Sequence, residues 1–194
     1  MLGIDLAGVA HRPTGMCVLR DWDAKTFLSY ENSSIVESAM RESPAVIAID
    51  APLNLPPGRK SMEDRNSVHF RPCDIELRKR KIRFFPITLG PMRALTLRGI
   101  QIREELEGLG FRVIEVYPGG AQDIWGIPRA RHNLNALRKG LLELGIKELK
   151  RDLSSHELDA VTGALVGHLF VQDKAEVYGD FSSGAIIMPV ASSP

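Results

Sequence analysis

The chain lacks the features that mark disulfide-stabilised, zinc-binding or membrane-spanning proteins. Its 194 residues include only two cysteines, Cys17 and Cys73, which lie far apart and without ligand-like spacing. This pattern excludes a disulfide framework and a structural zinc site. No apolar run approaches the ~20 residues needed to cross a bilayer. The first residues already read as a strand, with no charged leader or cleavage site, so we expect a cytoplasmic protein without membrane association.

The net charge is also small, at +1, but the charges are segregated along the chain. Residues 59–103, here called the basic segment, carry twelve Lys and Arg against four Asp and Glu, so this segment has a charge of +8 and the remainder −7. Lysines and arginines that neutralise phosphate, beside carboxylates that hold metal, suit a surface that handles phosphodiesters. For the run 78–83 alone, a solvated helix face is the alternative.

The apolar pattern predicts an α/β domain. Strands are predicted at 2–6, 14–19, 25–30, 45–50, 111–117, 175–178 and 185–188. Helices are predicted from 33 or 34 to 40, from 91 to about 106, from 133 to 145 and from about 155 to 172. There is no internal repeat. Residues 51–72 are rich in proline and predict a long irregular loop that begins directly at Asp50, and long loops in compact domains are usually functional or mobile.

Three aspartates stand where apolar segments end or pack closely. Asp5 closes the run Leu2-Gly3-Ile4-Asp5 in the first predicted strand, Asp50 closes the fourth, and Asp159 lies on the last helix beside a stripe of small residues. An ionised aspartate at a buried strand end is costly unless a cation, hydrogen-bond donors or a shifted pKa offsets its desolvation. Three such residues therefore predict a metal-binding catalytic centre, and hard carboxylate oxygens suit Mg²⁺ or Mn²⁺.

The last helix separates structural from functional residues. Ser154 and Glu157 satisfy the capping-box pattern, so Glu157 already has a structural role. Asp159 has none, and His156 shares its face of the helix. The alternative for Asp159 is a pair with an arginine. Glu115, on the predicted strand 111–117, is a candidate fourth ligand, with neutralisation of a buried arginine as the alternative.

Several short segments together resemble one family. They are Gly3-Ile4-Asp5-Leu6-Ala7-Gly8, Arg12-Pro13-Thr14-Gly15, Ile49-Asp50-Ala51-Pro52-Leu53, Arg71-Pro72-Cys73-Asp74, Glu115-Val116-Tyr117-Pro118-Gly119 and His156-Glu157-Leu158-Asp159-Ala160. In combination they resemble the domain of unknown function 429, a family described as predicted nucleases with a ribonuclease H-like fold. The resemblance spans residues 3–167.

The resemblance implies a ribonuclease H-like, RuvC-like central mixed sheet flanked by helices. It implies a single domain over residues 1–190, with an inserted loop and basic helical segment at about 51–90. It also implies a metal-dependent nuclease in which Asp5, Asp50, Asp159 and His156 are catalytic. Asp5 would bridge two Mg²⁺ or Mn²⁺ ions, and Asp50 and Asp159 would each complete one ion's shell. Glu115 has no clear counterpart in that pattern.

Nucleic acid, either DNA or RNA, is the expected partner. The residues predicted to bind it are Arg71, Arg78, Lys79 and Arg80, with Asp74 and Glu157 in supporting roles. Two other classes of function stay open. One is a nucleotide-binding module related to actin-like ATPases, and the other is a non-catalytic domain that binds nucleic acid or protein. The sequence does not determine the oligomeric state.

Overall fold

The computed structural model describes residues 1–191, which form one mixed sheet covered by helices on both faces. The strands are β1 (Leu2–Asp5), β2 (Thr14–Arg20), β3 (Asp23–Ser29), β4 (Ile47–Asp50), β5 (Val113–Val116), β6 (Ala175–Asp180) and β7 (Gly184–Pro189). The helices are α1 (Asn32–Glu42), α2 (Pro72–Lys79), α3 (Gly90–Gly108), α4 (Pro118–Trp125), α5 (Leu134–Glu143) and α6 (Ser155–Val171). None of the helices in this part of the chain is long and apolar enough to span a membrane.

The strand order is β3-β2-β1-β4-β5-β7-β6. The strands β1, β4, β5 and β7 are parallel to one another, whereas β2 and β3 form an antiparallel ribbon beside β1, and β6 runs antiparallel to β7. A central parallel pair of the first and fourth strands, flanked by an antiparallel hairpin, is the predicted ribonuclease H-like sheet. The predicted α/β fold is confirmed.

Apolar side chains of the sheet build a core on each face. On one face, Leu2, Ile4 and Ile49 are buried with residues of α1 and α3. On the other face, Cys17 and Leu19 pack with α5 and α6. The central strands are therefore apolar on both sides, which explains their near-continuous hydrophobic runs.

Helix α6 lies unusually close to the sheet, at two glycines. A methyl group built on Gly3 would overlap the backbone of Ala160 and Ala164, and one built on Gly15 would overlap the backbone carbonyl of His156. Both strands need glycine here because no side chain fits between strand and helix. The predicted capping box of α6 is confirmed, since the Ser154 hydroxyl accepts from the Glu157 amide and the Glu157 carboxylate accepts from the Ser154 amide.

The sequence prediction missed one helix and did not define how much of the inserted segment is helical. Helix α4 was not predicted, because Pro118-Gly119-Gly120 reads as a turn; proline suits the first helical position, and Gly120 sits where a side chain would overlap Met188 and Tyr117. Within residues 51–90, the helical part is confined to α2 and the rest of the segment before α3 is irregular. The expected inserted basic helix is thus a short helix within a long loop.

The contact between α6 and the sheet gives the first prediction. Replacing Gly15 with alanine should destabilise the fold by about 2–3 kcal/mol or more, because the methyl group overlaps backbone and forces α6 away from β2. The measurement is chemical denaturation of wild type and variant. Gly108→Ala, at the end of α3 with open space around it, is the control and should be neutral or slightly stabilising. Equal effects of the two substitutions would contradict the proposed clash.

Candidate functional site

Two of the three predicted aspartates meet because their strands end side by side. Asp5 and Asp50 are the last residues of β1 and β4, and they are partners in the parallel register of these strands. Register partners on neighbouring parallel strands point to the same face of the sheet. Gly3, two residues before Asp5, faces α6, so both carboxylates lie on the α6 side. The sequence prediction that strand ends bring them together is explained by this register.

Helix α6 supplies the other two predicted residues. The Nδ1 atom of His156 lies 2.6 Å from Oδ2 of Asp5. One turn further along α6, Oδ1 of Asp159 accepts a hydrogen bond from the side-chain amide of Gln122 at 2.7 Å. Gln122 is fully buried on α4 and also donates to the Thr162 hydroxyl. The alternative for Asp159, a pair with an arginine, is not what the described residues show.

Electrostatic repulsion couples the three aspartates, here called the carboxylate centre. Burial raises the pKa of Asp50 well above its usual range, and the neighbouring charges of Asp5 and Asp159 raise it further. Burial and then the charge of Asp5 raise the pKa of Asp159 to about 7. The hydrogen bond to Asp5 raises the pKa of His156. These shifts have the signs expected for acids that crowd together with too little positive charge nearby.

The carboxylate centre is not a formed ligand cage. Within residues 1–191, no group of three or more His, Cys, Asp or Glu side chains has the arrangement of a metal-binding cluster. The donor set nevertheless has the chemistry that a hard divalent cation requires, since it offers several carboxylate oxygens whose mutual repulsion an ion would relieve.

Glu115 has a different environment. Its two carboxylate oxygens accept hydrogen bonds from Nη1 and Nη2 of Arg71, at 2.6 and 2.8 Å, and Oε2 also accepts from the Leu53 amide. Arg71 makes two further bonds to the Asp74 carboxylate, at 2.9 and 3.1 Å. All three charged side chains are at most 5% exposed. This buried ion cluster ties the start of α2 to β5 and to the loop that follows Asp50.

These contacts correct two sequence predictions. Glu115 pairs in register with Ile49, the neighbour of Asp50, so it points to the opposite face of the sheet from Asp50. It neutralises a buried arginine, which was the alternative, and it does not join the carboxylate centre. Arg71 was predicted to bind nucleic acid, but its side chain is 2% exposed and fully engaged with two carboxylates. It cannot reach a phosphate without breaking this cluster.

Asp74 and Glu157, predicted as supporting residues, both have structural contacts. Asp74 caps α2 and pairs with Arg71. Glu157 caps α6 and also accepts a hydrogen bond from the Thr26 hydroxyl. Neither carboxylate lies free to act on a ligand.

The predicted nucleic-acid-binding residues of α2 differ in availability. Arg78 is exposed and lies over the Phe70 ring, 4.9 Å from its centroid. Lys79 pairs with Glu76, and Arg80 pairs with both Glu76 and Glu176. Other arginines of the basic segment face inward. Arg98 donates to the Ala7 carbonyl in the turn after Asp5, and Arg103 donates to the Leu53 carbonyl. Much of the basic segment therefore holds the loops around the carboxylate centre in place.

The buried ion cluster gives the second prediction. Arg71→Met should destabilise the protein by about 3–5 kcal/mol, because it leaves two buried carboxylates without their counter-charge. Arg80→Met, which removes partly exposed ion pairs, is the matched control and should cost no more than about 1 kcal/mol. Urea denaturation of both variants measures the difference. A small effect of Arg71→Met would rule out the structural role assigned to this arginine.

The raised pKa of Asp159 gives the third prediction. A carboxyl group whose pKa is higher in the folded state makes the free energy of unfolding fall as pH rises from its ordinary pKa towards about 7. In EDTA, Asp159→Asn should therefore stabilise the protein by about 1–3 kcal/mol near pH 8 and hardly at all near pH 4, since asparagine keeps an acceptor for Gln122.

The measurement is urea denaturation at both pH values. The control is Asp173→Asn, which changes an exposed carboxylate two residues beyond the end of α6, at a backbone φ of 56° that asparagine tolerates. This substitution should have no such pH-dependent effect. If Asp159→Asn instead stabilised the protein at acidic pH and not at alkaline pH, the pH dependence would have the opposite sign and would contradict a raised pKa of Asp159.

Comparisons with known proteins place the chain in a family whose activity is not described. The structure of T. thermophilus RuvC in complex with a Holliday junction substrate has a TM-score of 0.48 and 14% sequence identity, and the match covers 95% of this chain and 97% of RuvC. A likeness this distant bears on neither substrate nor chemistry. No curated protein matches the chain. The family model described as "Protein of unknown function (DUF429)" matches residues 3–182, so the chain belongs to the DUF429 family.

Proposed function

We propose that this protein is a nuclease that hydrolyses phosphodiester bonds of nucleic acid with the help of Mg²⁺ or Mn²⁺. The observation that carries the proposal is the meeting of Asp5 and Asp50 at adjacent strand ends, opposite Asp159. Burial and the charges of neighbouring aspartates raise the pKa of Asp50 and of Asp159, so ionising this centre has an electrostatic cost that the fold does not relieve internally. Divalent cations would relieve this cost, and the centre lies where the central parallel strands β1 and β4 end.

The proposed roles follow from the surroundings of each side chain. Asp5 and Asp50 would share the ligation of one ion, and Asp159, held by Gln122, would help to ligate a second. Bound ions would supply an activated water and stabilise the leaving oxygen. The Nδ1 atom of His156 is hydrogen-bonded to Asp5, and the side chain is 45% exposed. Its Nε2 atom is therefore available to a phosphate oxygen or to water. An ion would compete with His156 for Asp5.

The fourth prediction tests the metal and the chemistry separately. Asp5→Asn should lower Mn²⁺ affinity and reduce Mg²⁺-dependent cleavage by about 10²-fold or more, because it removes a carboxylate shared by ion and histidine. Mn²⁺ titration followed by electron paramagnetic resonance reports binding without any substrate. Cleavage is measured on labelled single-stranded, duplex and branched DNA and on RNA, since the geometry of the carboxylate centre does not distinguish among these substrates.

Asp173→Asn removes the same charge from the opposite end of α6 and should leave both measurements unchanged. Thermal unfolding of each variant is the control that tests whether the fold is retained. Full cleavage by Asp5→Asn would overturn the nuclease proposal. Mn²⁺ binding without cleavage of any of these substrates would support a non-catalytic binding domain instead.

A further inference from the structure

A recess, here called the cationic-aromatic cleft, lies near the carboxylate centre and has a volume of about 610 Å³. It is lined by residues before and within α2, by the loop after α2, and by residues that follow β5 and α4. Its cationic lining residues are Arg78, Lys81, Arg83, Arg129 and Arg131. Its size is within the range of clefts that hold ligands as large as a nucleotide.

The charge of the cationic-aromatic cleft is of one sign. Five of its lining residues are Lys or Arg and none is Asp or Glu. Arg129 is paired with Asp123. The other four cationic side chains form no ion pair with any of residues 1–191, and they come from two separate parts of the chain. An anion with spaced charges, such as a nucleic-acid backbone, is the complementary ligand.

The aromatic side chains of the cleft distinguish it from a plain phosphate-binding surface. Phe85 is 62% exposed, an unusual position for a large apolar ring, and Phe84 and Tyr117 are half-buried beside it. Phe70 is already covered by the guanidinium of Arg78. An exposed ring among unpaired cations is the arrangement on which bases of single strands stack while their phosphates are neutralised.

Hydrogen bonds hold the wall of the cleft in place. The Tyr117 hydroxyl donates to the Arg83 carbonyl at 2.5 Å and accepts from Nη1 of Arg129 at 2.9 Å. Arg129 is in turn fixed by Asp123. The backbone just before Phe84 and Phe85 is thus anchored to β5 and α4, so the rings are presented by a supported loop. Preorganised rings lose less entropy on binding.

The cleft lies near the carboxylate centre through one of its cationic residues. Burial raises the pKa of the Asp50 and Asp159 carboxyl groups, and the charge of Arg129 acts on both groups and lowers the pKa of each in part. A smaller cavity of about 180 Å³, which shares Phe84, Phe85 and Tyr117 with the cleft, is lined by Asp50 and by the buried ion cluster of Arg71, Asp74 and Glu115. The cleft is therefore close to the strand end that carries Asp50.

We propose that the cationic-aromatic cleft binds unpaired nucleotides of a single-stranded nucleic acid, with a base stacked on Phe85 and the flanking phosphates near Arg78 and Arg83. In a duplex the bases are stacked on one another and paired, so an exposed phenylalanine gains nothing from them, whereas an unpaired base offers a free face. This inference deepens the proposed function by naming the form of the substrate, and it rests on that function only for the link to cleavage.

The experiment is fluorescence anisotropy in EDTA with a labelled single strand of about ten nucleotides, a duplex of the same length and an abasic strand with the same phosphates. Wild type should bind the single strand more tightly than either of the other two. Phe85→Leu should weaken binding to the single strand about tenfold or more, with no change for the abasic strand, because it removes the stacking face and keeps an apolar side chain.

Phe181→Leu is the matched aromatic control, since Phe181 is equally exposed but lies outside the cleft, and it should not alter affinity. For charge, Arg83→Gln should reduce the salt dependence of binding by about one counterion, whereas Lys174→Gln, beyond the far end of α6, should not. Equal affinity for duplex and single strand, or no effect of Phe85→Leu, would overturn the proposal.

Failure of this inference can be told apart from failure of the proposed function. If binding in EDTA depends on stacking but no substrate is cleaved in Mg²⁺, nucleotide binding in the cleft is supported and nuclease activity is rejected. If duplex is cleaved as fast as single strands and Phe85→Leu cleaves at the wild-type rate, nuclease activity is supported and nucleotide binding in the cleft is rejected. Thermal unfolding of Phe85→Leu, whose side chain is largely exposed, should match wild type.

Discussion

The backbone contact between α6 and strands β1 and β2 is the constraint on which the candidate site depends. Because Gly3 and Gly15 leave no side chain between sheet and helix, the polar residues of α6 reach the level of the strand ends. His156 can then contact Asp5, and Asp159 lies close enough to Asp50 for its charge to raise the pKa of Asp50. Any side chain at these glycines would separate the acidic residues from the helix that completes the centre.

A second constraint acts on the other face of the sheet. The cluster of Arg71, Asp74 and Glu115 joins a long irregular loop to β5, and Arg103 holds the same loop through the Leu53 carbonyl. The loop starts at Asp50 and leads, through α2, to the cationic-aromatic cleft. The same buried ion cluster therefore helps to position both the residues of the cleft and the loop that follows Asp50. Part of the strong positive charge of the basic segment serves this purpose and is not available to a ligand.

The sequence predicted most of the fold because strong local signals agree with the tertiary structure. Apolar runs, the aspartates that end them and the capping box at Ser154 each require only neighbouring residues to be read. The role of Glu115 required the strand register, since a shift of one residue decides which face a side chain takes. Gln122 was missed with its helix, whose glycine-rich start resembles a turn. Tertiary packing places Arg129 in the cleft, and no local sequence pattern indicates this position. Phe85 has no distinguishing feature in the sequence beyond its hydrophobicity.

Side chains alternate between the two faces of the sheet, so the acidic residues form two groups, one on each face. The two groups differ in how their charge is neutralised. Glu115 and Asp74 are neutralised by an arginine of the same chain, so their compensation is fixed once the protein folds. Near Asp5, Asp50 and Asp159, the described residues place a partly exposed histidine, His156, and the charge of Arg129, which forms no ion pair with these aspartates. The ionic composition of the medium therefore acts on one side of this sheet far more than on the other, and it acts where the central parallel strands terminate.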